Sequence, residues 1–371
     1  MCKVYNSVGC LTTVKSHLDR HGLTEFKSLS EVIAFQKGYK ASRQRIIANS
    51  ELAIKNEKST IIADNFHLKK SIESTKEAVK KELEQELEYL KFQLQTLTVL
   101  KPKNAWRKII NYFRVLVIKN TIHRYELTIP SRVVQSVRQP MELYVRNENR
   151  YTYIVSRFQD AVLDNCFLEL KALERKKAVI DEVNHSIAGA IGEQKVVREL
   201  EDLSDDYVLI NDFRMGFSPP IYNRNENDNI RSIQVDHVLV GPAGVFLIET
   251  KNWSEQSLHS VNMRSPISQV KRTSFALFMV LNNNTAIQGL NGHHWGKRKI
   301  ALKNLVVFMN QKPWAEFQYV KVLTLKQLLN YIKYFPPMYT RSETAEIADE
   351  LISLSRSWER QQIAYHNTIF V

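Results

Sequence analysis

The longest stretch without a helix breaker runs from Ala41 to Leu100. It contains neither Gly nor Pro and is rich in Lys, Glu, Leu, Ile and Ala, residues that favour helix. Near its end, leucines repeat at intervals of four and three residues, as in about two heptads of a coiled coil. These leucines are Leu83, Leu87, Leu90, Leu94 and Leu97. The pattern predicts a long helix with a short coiled-coil seam, and packing against other helices of the same chain is an equal alternative.

The next segment, residues 101–150, combines an apolar helix face with positive charge. Apolar positions recur at intervals of three and four, and we interpret them as core residues. They are Trp106, Ile109, Ile110, Phe113, Leu116 and Val117. The segment holds eleven Lys and Arg against three Glu, so we expect a basic surface that contacts phosphates, with a solvated face without ligand as the alternative. The candidate contacts are Lys103, Arg107, Lys108, Arg114 and Lys119.

The chain changes character near residue 186, because no Gly occurs between Gly38 and Gly189 whereas eight follow up to Gly296. We therefore predict a helical region at 1–185, an α/β domain at 186–335, and a C-terminal helix within 336–371 that packs on that domain. The α/β domain is expected to begin with a helix at 187–203. Glu193 falls on the apolar stripe of this helix, where a carboxylate is costly unless it is paired or binds metal.

Two runs of apolar and β-branched residues, joined by the sequence GPAG at 241–244, predict a β-hairpin. With the loop centred between Pro242 and Ala243, residues that face each other have numbers that sum to 485. Asp236 then faces Glu249, and Gln234 faces Lys251. Alternation places Gln234, Asp236, Val238 and Val240 on one face with Val245, Leu247, Glu249 and Lys251.

Two opposed carboxylates repel each other unless a cation lies between them. Oxygen ligands from Asp236 and Glu249, without nearby cysteines or paired histidines, suit Mg²⁺ or Mn²⁺. Lys251 on the same face is placed to orient or deprotonate an attacking water, or to stabilise charge on a phosphate oxygen. The set predicts metal-assisted phosphodiester hydrolysis. A surface salt-bridge cluster is the alternative, and apolar neighbours on both faces argue against it.

These residues resemble the nuclease-related (NERD) domain, a branch of the PD-(D/E)xK nuclease superfamily. The resemblance covers about 150 residues and is carried by GAIGE at 189–193, Asn211-Asp212, Val235-Asp236-His237, GVFLIETKN at 244–252, and Ser265-Pro266 to Gln269. It implies a mixed sheet flanked by helices, Asp236 and Glu249 as metal ligands, and Lys251 as the catalytic lysine. It also implies that Glu193 is an additional acidic residue of the site and that Gln269 is a polar active-site residue.

Composition limits the class of protein. The net charge of +13 favours a polyanionic partner such as DNA. No apolar run reaches membrane-spanning length and no signal-peptide layout is present, so we expect a cytoplasmic protein that does not enter a membrane. The three cysteines, Cys2, Cys10 and Cys166, are too few for a disulfide framework. Cys2 and Cys10 with His17 and His21 form a weak zinc pattern, because the first gap is too wide.

The resulting hypothesis is a bacterial, metal-dependent DNA nuclease, with degradation of foreign DNA as a role suggested by analogy. The helical N-terminal half is expected to bind DNA, a partner protein or a second copy, and Lys297 and Arg298 of a basic, aromatic loop are further candidate contacts. A non-catalytic nucleic-acid-binding or scaffold protein with the same fold, and an RNA-directed nuclease, are the alternatives.

Overall fold

The computed structural model describes residues 1–99, 105–253, 264–283, 292–293, 296–297 and 299–369. The helices are α1 (Gly9–Arg20), α2 (Leu29–Val99), α3 (Ala105–Ser136), α4 (Arg138–Ser156), α5 (Phe158–Glu182), α6 (Asn184–Glu201), α7 (Arg264–Asn283), α8 (Leu325–Lys333) and α9 (Arg341–Ile369). The strands are β1 (Lys3–Tyr5), β2 (Val208–Asn223), β3 (Asp228–Gly241), β4 (Gly244–Lys251), β5 (Gly292–His293), β6 (Gly296–Lys297), β7 (Leu302–Phe308) and β8 (Lys321–Thr324).

The chain divides into two compact units. One contains Met1–Gln36 together with Lys176–Val371, and the other contains Lys37–Arg175. The N-terminal residues therefore belong to the unit that holds the sheet. The domain limits at 185 and 335 that the sequence suggests stay predictions.

The helical unit is built around α2, whose 71 residues confirm the predicted long helix and begin earlier than Ala41. Ile54 and Ile61 of this helix share a small buried cluster with Ile154 of α4 and with α5. The Arg150 guanidinium forms a bidentate ion pair with Glu57, with nitrogen–oxygen distances of 2.7 and 2.9 Å. Toward the end of α2, the side-chain amide of Asn111 donates to the carbonyl of Leu97. The long helix thus packs against other helices of its own chain, and the coiled-coil role of its leucine stripe stays a prediction.

The aromatic face of α3 corrects the prediction that it belongs to a core. Trp106 is 74% exposed and Phe113 is 60% exposed, and the other apolar residues of the stripe are exposed as well. Helical periodicity identifies a face of common polarity, but burial also requires an element that covers this face. Among the helices described in this unit, none covers the apolar stripe of α3.

A six-stranded mixed sheet forms the centre of the other unit, in the order β1-β2-β3-β4-β7-β8. The strands β2, β3 and β4 run antiparallel, whereas β4, β7 and β8 are parallel and β1 is parallel to β2. Apolar residues of α7 and α9 cover one face, and those of α6 and α8 cover the other. The predicted α/β architecture, with helices on both faces of a mixed sheet, is confirmed.

Two hairpins connect β2, β3 and β4. The polar segment from Asn223 to Asn229 lies in the first hairpin, because β2 extends to Asn223 and β3 begins at Asp228. Its polar residues are compatible with strands because many of them are exposed. The turn between β3 and β4 is formed as predicted. Gly244 has φ +119°, and a Cβ there would lie 2.8 Å from the carbonyl oxygen of Ala301, so glycine is required.

The chain termini pack on this unit. In α1, Val14 and Leu18 share a buried cluster with Ile187 and Ala190 of α6. In α9, Leu351 joins the core on the face of the sheet that α7 covers. Of the helices that the structure describes, none combines the length and apolarity needed to cross a bilayer.

Candidate active site

The β3–β4 hairpin ends its pairing at the candidate site. The observed pairs run from Gly241–Gly244 to His237–Ile248, all with numbers that sum to 485, so the predicted register is confirmed there. The next predicted pair, Asp236 with Glu249, is wrong as a ladder pair. Asp236 Oδ2 instead accepts a hydrogen bond from the backbone N–H of Thr250 at 2.7 Å. The backbone pairing of β3 and β4 therefore stops where the acidic residues begin.

The predicted alternation of side chains along β3 fails at the same point. Val238 lies in the core beneath α7 as expected, but Val235 lies in that core too, and Gln234 is exposed. The predicted pairing of Gln234 with Lys251 is also absent from the β3–β4 ladder, which lies wholly within the described residues. The strand therefore reverses its faces at Asp236 and His237, so strict period-two reasoning misplaces the residues beyond them.

The neighbouring strand β2 switches its side-chain faces at the same position. Asp212 lies between the pairs Asn211–His237 and Phe213–Val235, opposite Asp236, and has φ +48°. This left-handed backbone is uncommon for residues other than glycine but tolerated by Asp. In both strands the side chains therefore switch faces at the same level of the sheet. Asp212 and Asp236 lie at that level.

Glu249 is the most buried acid of the site, with 2% of its surface exposed. Its Oε1 accepts a hydrogen bond from Nζ of Lys251 at 2.7 Å. Its Oε2 is buried and has no hydrogen-bond partner among the described residues. Burial raises the pKa of Glu249, and the charge of Lys251 opposes this effect. One oxygen of a buried carboxylate is thus left available to a ligand.

Lys251 remains an ammonium ion. Burial lowers its pKa, but the adjacent carboxylate of Glu249 and the charge of Asp236 outweigh burial, so the net shift is upward. Its side chain is 20% exposed, so it is partly accessible from solvent. In this state Lys251 can stabilise negative charge but cannot accept a proton.

Asp236, in contrast to Lys251, is shifted toward its neutral form. Burial and the negative charge of Glu249 raise its pKa to about 7, although the hydrogen bond from Thr250 and the charge of Lys251 partly compensate. A carboxyl group with such a pKa exchanges its proton near neutral pH. A bound cation would favour the ionised form.

Glu193 reaches the same cluster from α6. It is buried, and its Oε2 accepts a hydrogen bond from the backbone N–H of Cys10 at 3.3 Å. Burial raises its pKa, followed by repulsion from Asp236. The helix approaches closely because it has glycine at 192, where a Cβ would lie 3.0 Å from the Cβ of Asn252.

Gln269 is less closely connected to these residues. It lies in the second turn of α7 and is exposed, whereas its neighbours Ile267 and Val270 enter the core. No hydrogen bond joins Gln269 to Glu193, Asp236 or Glu249, all of which the structure describes. Its role in the site stays a prediction.

The predicted phosphate contacts are only partly described. Arg107, Lys108, Arg114 and Lys119 are exposed on α3. Lys103 and Arg298 lie outside the described residues, and so does the side chain of Lys297. Their contact with nucleic acid stays a prediction.

Sequence reasoning missed three contributors to the site. Asp212 adds a third carboxylate near Asp236 and accepts hydrogen bonds from Arg214 and Gln234. Cys10 comes from the distant N-terminal segment, for which the sequence offers no signal. His237 is fully buried and bonded through Nδ1 to Asn211 Oδ1 at 2.8 Å.

Burial lowers the pKa of His237 to about 3, so the ring is neutral. It therefore acts as a hydrogen-bonded support for the site rather than as an acid or base at neutral pH. The presence of Asn211-Asp212 and Asp236-His237 in neighbouring strands was the available sequence signal.

The donor atoms fit a hard divalent cation. Glu249 Oε2 is unpartnered within the described part of the chain, and Asp236 uses one oxygen for Thr250 and retains the other. Within that same part, neither acid belongs to a group of three His, Cys, Asp or Glu donors lying within 4.8 Å of one another. A site with two protein carboxylates leaves the other positions to water and phosphate, the manner in which Mg²⁺ is usually held.

Comparison with known proteins identifies one part of the chain. No curated protein and no solved structure matches it. One family model, described as the nuclease-related domain (NERD), matches residues 188–309, about a third of the chain. The matched segment contains Glu193, Asp236, Glu249, Lys251 and Gln269. Residues 188–309 are therefore similar to the nuclease-related domain, consistent with the PD-(D/E)xK nuclease superfamily.

Proposed function

We propose that this protein is a metal-dependent nuclease that hydrolyses DNA phosphodiester bonds. The observation that carries the proposal is the buried Glu249, with one oxygen bonded to Lys251 and the other unpartnered among the described residues. Glu249 lies close enough to Asp236 for its negative charge to raise the pKa of Asp236. A carboxylate pair beside an ammonium ion is suited to metal-assisted phosphodiester hydrolysis, because it can hold a cation and stabilise charge on the phosphate.

The cation that we propose is Mg²⁺ or Mn²⁺, held by Asp236 and Glu249. When bound, it supplies Lewis-acid stabilisation of the phosphoryl oxygens and lowers the pKa of water. Lys251 holds a positive charge at the same place and stabilises negative charge that develops on the phosphate. The buried carboxylate of Glu193 adds negative charge that favours the cation and can accept a hydrogen bond from a water molecule.

The main alternative is a scaffold that binds nucleic acid without cleaving it. Such a protein gains nothing from buried carboxylates near its binding surface, because they repel phosphate and are costly to bury. An RNA-directed nuclease would use the same residues, so its separation from a DNA nuclease depends on substrate assays. A bacterial origin, a cytoplasmic location and a role in defence against foreign DNA belong to this proposal by analogy alone.

We expect Glu249→Gln to abolish metal-dependent cleavage, because it removes a charged ligand and leaves the local shape nearly unchanged. Wild type and variant should be compared on supercoiled DNA, linear DNA and RNA, in Mg²⁺, Mn²⁺ or EDTA, after circular dichroism has shown equal folding. Glu226→Gln is the matched control, since Glu226 is exposed in the β2–β3 turn. DNA binding without cleavage in any metal would favour a non-catalytic scaffold protein. Cleavage of RNA but not DNA would identify an RNA-directed nuclease.

The exposed basic residues of α3 are the proposed phosphate contacts. Arg107→Gln/Lys108→Gln should weaken DNA binding and reduce the dependence of log affinity on log salt concentration by about 0.9 for each phosphate that is no longer neutralised. Lys69→Gln/Lys70→Gln, an equal charge change at exposed positions of α2, is the control. Equal salt dependence in both double variants would exclude this face. The exposed apolar residues on α3 also support the proposal that the helical half binds a partner protein or a second copy.

A further inference from the structure

We propose a second metal site, specific for a transition metal such as Zn²⁺, formed by His17, His21 and Glu182. These side chains form a group in which one donor atom from each lies within 4.8 Å of the other two. Two imidazoles and one carboxylate suit zinc and related ions, whereas Mg²⁺ prefers oxygen ligands. The site is therefore chemically distinct from the carboxylate site on the sheet.

The two histidines are brought together by helix geometry. They are four positions apart, with His17 in the last turn of α1 and His21 at its C-cap, so their side chains lie on one side of the helix end. The ring centroids are 4.6 Å apart. The same spacing on a helix provides two zinc ligands in known metal-binding motifs.

Glu182 supplies the third donor from the last residue of α5. Its Oε2 lies 3.3 Å from Nε2 of His17. Two ligands bound to tetrahedral zinc at about 2.0–2.1 Å are themselves about 3.3–3.4 Å apart. The observed distance therefore needs little adjustment to admit a metal ion.

The helices that carry these ligands are fixed by a buried cluster. Val14 and Leu18 of α1 pack in it with Val179 and Ile180 of α5. Lys176 of α5 also forms an ion pair, 2.9 Å long, with Glu25 in the segment between α1 and α2. A preformed arrangement of this kind lowers the cost of ordering ligands around a cation.

Electrostatics and access also favour a cation. Both α1 and α5 end beside these residues, and the C-terminal end of a helix carries partial negative charge. His17 Nε2 lies 3.2 Å from the carbonyl oxygen of Val179. Metal binding through Nε2 replaces this hydrogen bond. Glu182 is 58% exposed, so an ion can enter and a water molecule can complete a four-coordinate site.

This site replaces the zinc pattern of the sequence, which paired the histidines with two cysteines. Cys2 is buried in the core between the sheet and α6, where burial raises the pKa of its thiol to about 11. Cys10 lies against Gly189 and Glu193. A carboxylate that is distant in sequence, rather than either thiol, completes the set.

Zinc binding to the full chain tests the proposal. Calorimetric titration with Zn²⁺, in millimolar Mg²⁺, should show one more equivalent bound to wild type than to His21→Asn. Glu182→Gln should weaken the same binding event by about tenfold or more. Because Glu182 is exposed, Glu182→Gln is a second test that does not depend on the packing of α1. His185→Asn, at an exposed histidine near Glu182, is the matched control and should behave as wild type.

Asp236→Asn should retain this binding event, which separates it from the carboxylate site. Zinc should also raise the melting temperature of wild type more than that of His21→Asn. Equal zinc stoichiometry and affinity in wild type, His21→Asn and Glu182→Gln would overturn the proposal. Because the readout is metal binding, this result does not depend on whether the protein cleaves DNA.

Discussion

Lys251→Met should reduce DNA cleavage by about 10²–10³-fold while metal binding persists. The variant removes the ammonium ion that lies 2.7 Å from Glu249 Oε1 but keeps an unbranched side chain. Because Lys251 is held in its charged form, its replacement removes stabilisation of negative charge rather than a metal ligand. Single-turnover cleavage rates and calorimetric Mn²⁺ titration measure the two properties separately.

The control for this prediction is Lys195→Met, at an exposed position of α6. It removes the same charge away from the carboxylates and should leave cleavage near the wild-type rate. A rate for Lys251→Met within about threefold of wild type would show that Lys251 is not catalytic. Loss of Mn²⁺ binding together with cleavage would instead assign it a structural role.

Asp236→Asn should stabilise the metal-free protein at neutral and higher pH. The folded-state pKa of Asp236 is about 7, against an ordinary value of 3.8. Between these values the folded protein binds a proton that the unfolded chain has released, so stability falls as pH rises through this window. Asparagine cannot ionise and still accepts the hydrogen bond from Thr250. The expected gain in unfolding free energy above pH 7 is on the order of 2 kcal/mol.

Urea denaturation in EDTA at several pH values between 4 and 8 measures this effect. The variant and wild type should have similar stabilities near pH 4 and diverge as pH rises. Asp349→Asn, at an exposed site on α9, should follow wild type throughout. Added Mn²⁺ should stabilise wild type more than Asp236→Asn, because a ligand that binds the folded state raises stability. Identical dependence of stability on pH in Asp236→Asn and wild type would show that burial and Glu249 do not raise the pKa of Asp236 in the folded protein.

The central hairpin could be predicted from the sequence because its information is local. Alternating apolar residues and the GPAG turn define the strands, and the register follows from the centre of the loop. That register holds from Gly241–Gly244 to His237–Ile248. Burial of the sheet on both faces was predictable for the same reason, since β4 is apolar on both sides.

The detailed arrangement of the acids could not be predicted in this way. The reversal at Asp236 depends on a matching change at Asp212 in another strand, beside Gly9 of the N-terminal segment. The partner of Glu193 is the backbone of Cys10, 183 residues away. Such contacts depend on the assembled fold rather than on the periodicity of any one strand.

The exposed stripe of α3 shows a different limit. The sequence correctly identified apolar residues such as Trp106 and Phe113 at helical spacing, but it did not show whether another element would cover them. Amphipathic spacing establishes that a helix has two unlike faces, and the environment of each face is a tertiary property. The same limit applies to Gln269, whose place near the start of a helix was predictable but whose contacts were not.

The most direct test of the proposed nuclease is the cleavage of supercoiled DNA as a function of Mn²⁺ concentration, by wild type and Asp236→Asn at equal folded fractions. The proposal predicts that wild-type cleavage rises to saturation with Mn²⁺ and is abolished by EDTA. Cleavage by Asp236→Asn should fall by about 10³-fold or more at every Mn²⁺ concentration. Cleavage that persists in EDTA, or that is equal in the two proteins, would contradict the assignment of this site.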